Sequence, residues 1–158
     1  MASFELHSYG YQDQYEMIKI ILAEDNLLIR DGIKLLLELE GGVEVVGEAS
    51  DGQEVVRLLE KGQEADLVLT DINMPGMDGM ELIQSLGNSK PELPVMVLSM
   101  NYEKHYIKQA FRAGARGYLI KGLGSEELLF AINHVYMGNS YLCSEASMNL
   151  INSDCSEG

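Results

Sequence analysis

Cysteine is nearly missing from this chain. There are two in 158 residues, Cys143 and Cys155, both near the C-terminal end. They build no disulfide framework, and neither has metal-ligand spacing. Positive charge is scarce as well. Eleven Lys and Arg face 25 Asp and Glu, for a formal net charge of −14. So acidic a chain is repelled by nucleic acid and is a poor DNA ligand by itself. All the basic residues fall between Lys19 and Lys121, and the stretches beyond them are acidic. No apolar run approaches the length of a bilayer. Met1 to Glu16 has neither the basic region nor the apolar core of a signal peptide. The expectation is a soluble, cytoplasmic protein with no membrane partner. There is no Walker loop, no Gly-x-Ser-x-Gly elbow, no internal repeat and no low-complexity tract.

What the chain does hold is a globular composition, 46% hydrophobic and 23% charged, at a length that suits one domain with a proper core. It is organised around Asp66-Leu67-Val68-Leu69-Thr70-Asp71-Ile72-Asn73-Met74-Pro75-Gly76-Met77-Asp78-Gly79. The run Leu67–Leu69 reads as a buried strand, ends on the carboxylate of Asp71, and is followed by a loop broken by Pro75 and Gly76. Similar apolar strands are expected at Met17–Ala23, Val43–Gly47, Val95–Leu98 and Gly117–Ile120.

Helical periods lie between and after these strands. Asn26 is expected to cap the first helix, which stops at Gly41-Gly42. Asp51 with Glu54 resembles a capping box for the second, and Asp78 caps the third. A fourth helix is predicted over about 103–113. Ser125 is expected to cap a fifth that runs to Met137. Five strands alternating with five helices predict an α/β fold. It is a doubly wound, flavodoxin-like parallel sheet with right-handed crossovers and, in the usual arrangement, strand order 2-1-3-4-5. Residues 1–16 are expected to be a mobile arm. Residues 17–138 form the domain, and 139–158 a polar tail, the start of a linker or the start of another helix.

Four strands end on functional groups: Glu24-Asp25, Asp71, Ser99 and Lys121. In such a sheet these ends share one edge, with strands 1 and 3 adjacent at the switch point. Singly, each has an ordinary explanation as a helix-start acid, a loop hydroxyl or a solvated lysine. Together they gather three carboxylates, which stay ionised side by side only when a cation offsets them. Hard oxygen donors favour Mg²⁺. A hydroxyl and an ammonium beside such a cluster suit phosphoryl transfer, with an Asp as nucleophile.

These residues, with Met74-Pro75-Gly76-Met77-Asp78-Gly79 and Gly117-Tyr118-Leu119-Ile120-Lys121, resemble the receiver domain of bacterial two-component response regulators over residues 17 to about 138. Ala113 to Lys121 and Gly138-Asn139-Ser140-Tyr141-Leu142 look most like the NarL/FixJ branch, also called LuxR-type. The resemblance implies that Asp71 accepts a phosphoryl group from a sensor histidine kinase. It implies Mg²⁺ on Asp25, Asp71 and the backbone carbonyl of Asn73, with Glu24 acting through metal-bound water. Lys121 would pair with the acyl phosphate, Ser99 would bond a phosphoryl oxygen, and Tyr118 would turn inward behind Ser99 as an aromatic switch. The domain would catalyse its own phosphorylation and dephosphorylation without being an enzyme in the ordinary sense. Output would be a changed surface, with homodimer formation on phosphorylation. DNA would be reached only through an effector domain outside these 158 residues.

The chain departs from the pattern where Gly122 follows Lys121 in place of proline and where Met100 follows Ser99 in place of a small residue. A trans bond is expected at Lys121–Gly122. Other readings are a stand-alone receiver, a Mg²⁺-dependent phosphohydrolase with Asp71 as nucleophile, and a flavin module. In the phosphohydrolase the acid/base position falls on Asn73, which cannot protonate a leaving group. The flavin module lacks a phosphate-cradling loop after the first strand. His7, His105 and His134 are expected at the surface.

Overall fold

The structure, a computed structural model, describes residues 17–122 and 124–157, the side chains of 153–157 apart. The arm expected over residues 1–16, with His7, lies outside them. Strands β1 (Ile18–Ala23), β2 (Val43–Ala49), β3 (Leu67–Thr70), β4 (Val95–Ser99), β5 (Gly117–Ile120) and β6 (Tyr141–Leu142) form one sheet. Its order is β2-β1-β3-β4-β5-β6, and every neighbouring pair is parallel. Helices α1 (Leu27–Leu39), α2 (Gly52–Glu60), α3 (Gly79–Ser89), α4 (Lys104–Ala113) and α5 (Ser125–Tyr136) make the crossovers, and α6 (Ser144–Glu157) follows β6. Helices cover both faces, so the central strands need apolar side chains in unbroken runs. Every residue of β3, β4 and β5 is buried.

The sheet expected to have five strands therefore has six, and a sixth helix joins the expected five. Residues after Gly138 do not leave the fold. The Tyr141 N–H donates to the Arg116 carbonyl at 2.9 Å and the Cys143 N–H to the Tyr118 carbonyl at 3.2 Å. Helix α6 then packs on α4 and β5. A two-residue strand is too short to show a period. The α6 stretch is mostly polar, and its buried foot is small: Cys143 and Ala146, with Leu150 partly buried.

Local chemistry sets the helix starts. Asn26 accepts the Ile29 N–H at 3.1 Å. Asp78 and Glu81 form a reciprocal capping box at α3. At α2 the expected box is offset. Asp51 accepts the Glu54 N–H, but Glu54 reaches back to the N–H and hydroxyl of Ser50. At α5 the cap position is Gly124; Ser125 is the first helical residue, and its hydroxyl donates to Glu40 instead. No described peptide bond is cis, and Gly122 takes φ +98°, a region that favours glycine.

Candidate functional site at the carboxyl edge of the sheet

Because all six strands run the same way, the residues that end β1, β3, β4 and β5 emerge at one edge. Glu24 follows β1 and is 2% exposed; Asp71 follows β3 and is 8% exposed; Ser99 ends β4 and is buried. Lys121 follows β5. Its Nζ donates to Asp71 Oδ2 at 2.9 Å and also to Glu24 Oε1. The other oxygen of each carboxylate meets backbone: Asp71 Oδ1 accepts the Ile72 N–H at 2.7 Å and Glu24 Oε2 the Asn26 N–H at 3.1 Å. Asp25 is exposed beside them. Glu24, Asp25 and Asp71 each offer an oxygen within 4.8 Å of the other two.

Burial raises the Glu24 carboxyl above the usual range, against the lowering effect of the Lys121 hydrogen bond. Burial by itself would lower Lys121, but its bonds to Glu24 and Asp71 outweigh that and raise it. The ammonium therefore stays charged between the two carboxylates. A gathering of hard oxygen donors that already draws in one cation has the chemistry a divalent cation such as Mg²⁺ requires.

Asp71, Asn73, Ser99, Met100, Lys121 and Asn149 line one cavity of about 620 Å³. Ser99 Oγ accepts the Asn101 N–H at 3.0 Å. Tyr118 is fully buried and already points inward, its hydroxyl donating to the Asn101 carbonyl. Burial pushes its phenol up to about 12, against a lowering hydrogen bond from Ser99 and with a raising charge on Asp71. Met100 is 70% exposed at the cavity mouth rather than packed under α4. The two described histidines stand apart from this edge: His105 is exposed on α4 and His134 half-exposed on α5.

The structure thus brings Glu24, Asp25, Asp71, Asn73, Ser99 and Lys121 together, with Tyr118 behind Ser99. Two further residues belong to the same locale. Arg30 Nη1 donates to the Glu24 carbonyl at 2.9 Å, while its Nε lies 3.3 Å from Glu48 Oε1, so it ties the end of β1 to β2. It sits in the first turns of α1, where an arginine reads as solvated surface. Asn149 reaches the cavity from α6, and nothing in a polar C-terminal stretch singles it out.

The profile of the response regulator receiver domain family matches residues 20–133. The chain is 35% identical over 135 residues to the response regulator GacA of Pseudomonas aeruginosa, covering 85% of this chain and 62% of that one. It is 36% identical over 134 residues to the transcriptional regulatory protein DegU of Brevibacillus brevis, with 85% and 56% covered. It therefore spans about three fifths of the length of the curated relatives it matches. Among solved structures, a two-component response regulator of the LuxR family from Aurantimonas sp. SI85-9A1 superposes with a TM-score of 0.82 at 27% identity, covering 88% of this chain and 99% of that one.

Proposed function

Starting from a chain that belongs to the response regulator receiver domain family, in its NarL/LuxR-type branch, we propose that Asp71 is the phosphoacceptor of a two-component signalling switch. The observation that carries this is the nearly buried Asp71 carboxylate, paired with Lys121 and clustered with Glu24 and Asp25, which shares a cavity with the Ser99 hydroxyl.

An Asp71 oxygen attacks the phosphorus of a phosphohistidine on a sensor histidine kinase. The P–N bond breaks, its electron pair stays on the imidazole, and that nitrogen takes up a proton from solvent. The product is an acyl phosphate on Asp71. Mg²⁺ held by Asp25, Asp71 and the Asn73 carbonyl, with Glu24 through bound water, would offset charge on the phosphoryl oxygens. The Lys121 ammonium, displaced from the Asp71 carboxylate, pairs with a second phosphoryl oxygen. The Ser99 hydroxyl turns from Tyr118 to donate to a third. In a separate hydrolytic step water attacks phosphorus, the P–O bond to Asp71 breaks with its electron pair kept by the carboxylate, and inorganic phosphate leaves. The domain thus catalyses its own loading and unloading, in a signalling role rather than as a turnover enzyme. Asn73, at the place where an aspartyl phosphatase needs an acid, supports the switch over a phosphohydrolase.

The signal leaves as a change of surface. Transcriptional output, in keeping with the name of the DegU relative, passes through an effector domain outside these residues. The receiver unit is read as residues 17–138. The β6–α6 segment that packs on it begins the connection onward, and the whole acts in the cytoplasm. Intact mass after incubation with acetyl phosphate and Mg²⁺ tests the assignment. One hydroxylamine-labile phosphate is expected, absent in Asp71→Asn. The same adduct on Asp71→Asn sinks it.

A further inference from the structure

Residues 100–103, between β4 and α4, carry no regular structure and form one wall of the Asp71 cavity. Four hydrogen bonds on this segment matter here. The first runs to the end of β4, from the Asn101 N–H to Ser99 Oγ at 3.0 Å, and the second is internal, from the Glu103 N–H to Asn101 Oδ1 at 3.0 Å. The third comes from β5, where the Tyr118 hydroxyl donates to the Asn101 carbonyl. The fourth comes from α6, where Asn149 Nδ2 donates to the Tyr102 carbonyl at 2.6 Å. Asn149 also lines the cavity itself. Helix α6 is thereby a wall of the site as well as a cover on α4 and β5.

Its apolar foot is small: Cys143 and Ala146 are buried and Leu150 partly so, while Met148 and Ile151 stay exposed. The Asn149–Tyr102 hydrogen bond adds to that packing a polar tie that runs directly to the wall of the site.

We propose that Asn149 is a positioning residue of the phosphoacceptor site, through which docking of α6 and phosphoryl capture at Asp71 oppose each other. The proposal rests on the reading of Asp71 given above. A phosphoryl group on Asp71 adds three acceptor oxygens to the cavity, and the Ser99 hydroxyl, at the end of β4 beside that wall, meets one. Drawing Ser99 toward Asp71 carries Asn101 with it, since the Asn101 N–H rests on Ser99 Oγ. The Tyr102 carbonyl then moves away from Asn149, which stands on the outer helix. Hydrogen bonds weaken steeply with stretch and tilt, so a displacement of about an ångström breaks this one. The coupling is reciprocal: whatever frees the loop from α6 favours phosphoryl capture.

Hydrogen exchange of the 158-residue chain with Mg²⁺, with and without BeF₃⁻ as the phosphoryl mimic, tests this. BeF₃⁻ is expected to speed exchange of the α6 amides over 144–152 while the amides of β3 and β4 stay protected. Asn149→Ala is expected to exchange fast in α6 from the start and to bind BeF₃⁻ about fivefold more tightly, the weight of one hydrogen bond. Asn149→Gln, which keeps a donor, is expected to recover most of the parent behaviour. Unchanged or slower α6 exchange at saturating BeF₃⁻ overturns the proposal, and so does an Asn149→Ala affinity equal to the parent's. If Asp71→Asn binds BeF₃⁻ as the parent does, the phosphoacceptor reading itself fails and the inference with it.

Discussion

Met100 shows what one side chain adds to a shared site. Its neighbours in the cavity are Asp71, the proposed phosphoacceptor, and the ammonium of Lys121. If Asp71 is the acceptor, a long, flexible thioether at the mouth would obstruct both an incoming phosphodonor and an incoming water. Attack needs reacting atoms near 3–3.5 Å and aligned, so partial obstruction slows it. Met100→Ala is expected to speed labelling by acetyl phosphate and loss of the label alike, each by about two- to fivefold, roughly 1 kcal/mol or less of barrier. Both rates staying within error of the parent, with the fold intact, rule out the gate. Tyr118 offers a test by pH. Its pKa in the folded chain, about 12, lies above the ordinary value of 10.0. A group raised in this way contributes stability that is present below pH 10 and lost as pH climbs through about 12. Denaturant unfolding across pH 9–12 is expected to fall more steeply for the parent than for Tyr118→Phe, which has no phenol to ionise. Lys121 titrates in the same direction in both proteins, so the difference isolates Tyr118. Equal slopes contradict the assignment.

Helix α3 shows how an element fixes the position of Asp71. Its first residue, Gly79, donates its N–H to the Ile72 carbonyl at 2.8 Å. A Cβ there would press on the Asp71 carbonyl oxygen and stand 2.8 Å from Ile72 Cα, both backbone. No rotamer change relieves that overlap. Gly79→Ala is expected to cost about 1–3 kcal/mol in unfolding free energy and to slow labelling of Asp71, because the residue carrying the carboxylate must shift. Gly87, in the same helix, is exposed and meets only the Ala113 carbonyl, at 4.0 Å. There alanine is expected to stabilise by about 0.5–1 kcal/mol through helix propensity. The same substitution, eight residues apart, should therefore have opposite signs in a urea melt. Two losses of similar size would show that α3 is not seated as described.

At the scale of the whole molecule, β6 and α6 occupy the α4–β5 side, which leaves α1 and α5 as the open face. These helices pack on each other. Leu28, 82% exposed, lies in one stripe with the exposed Leu35 and Leu39, while on α5 the exposed Phe130 stands toward β6, stacked on His134 and edge-on to Tyr141. An exposed apolar stripe of this kind is a candidate interaction surface. At a net charge of −14 an open apolar face is more useful for a second copy than for nucleic acid. Sedimentation is expected to show a monomer turning to dimer with BeF₃⁻ and Mg²⁺, and Phe130→Glu with Leu39→Glu is expected to abolish the dimer. A parent that stays monomeric, or a double variant that still dimerises, removes this face from consideration. Among the described residues no helix is long and apolar enough to cross a membrane.

Strand identity and the convergence of Glu24, Asp25, Asp71, Ser99 and Lys121 were legible in the residues alone, for one physical reason. Buried parallel strands need unbroken apolar runs, and right-handed crossovers bring their ends to one edge, so chain order becomes spatial order. The same periodic logic found every helix from α1 to α5. It missed the reciprocal Asp78–Glu81 box while overstating the one at Asp51, because a side chain's final partner depends on what stands nearby, here Ser50. It gave no sign of β6, of Arg30 on the Glu24 carbonyl or of Asn149 on the Tyr102 carbonyl. Those contacts join residues with no shared period, one of them across 47 positions. A polar tail becomes part of a site only when an open strand edge is there to receive it, and β5 supplies that edge through backbone groups that every sequence carries.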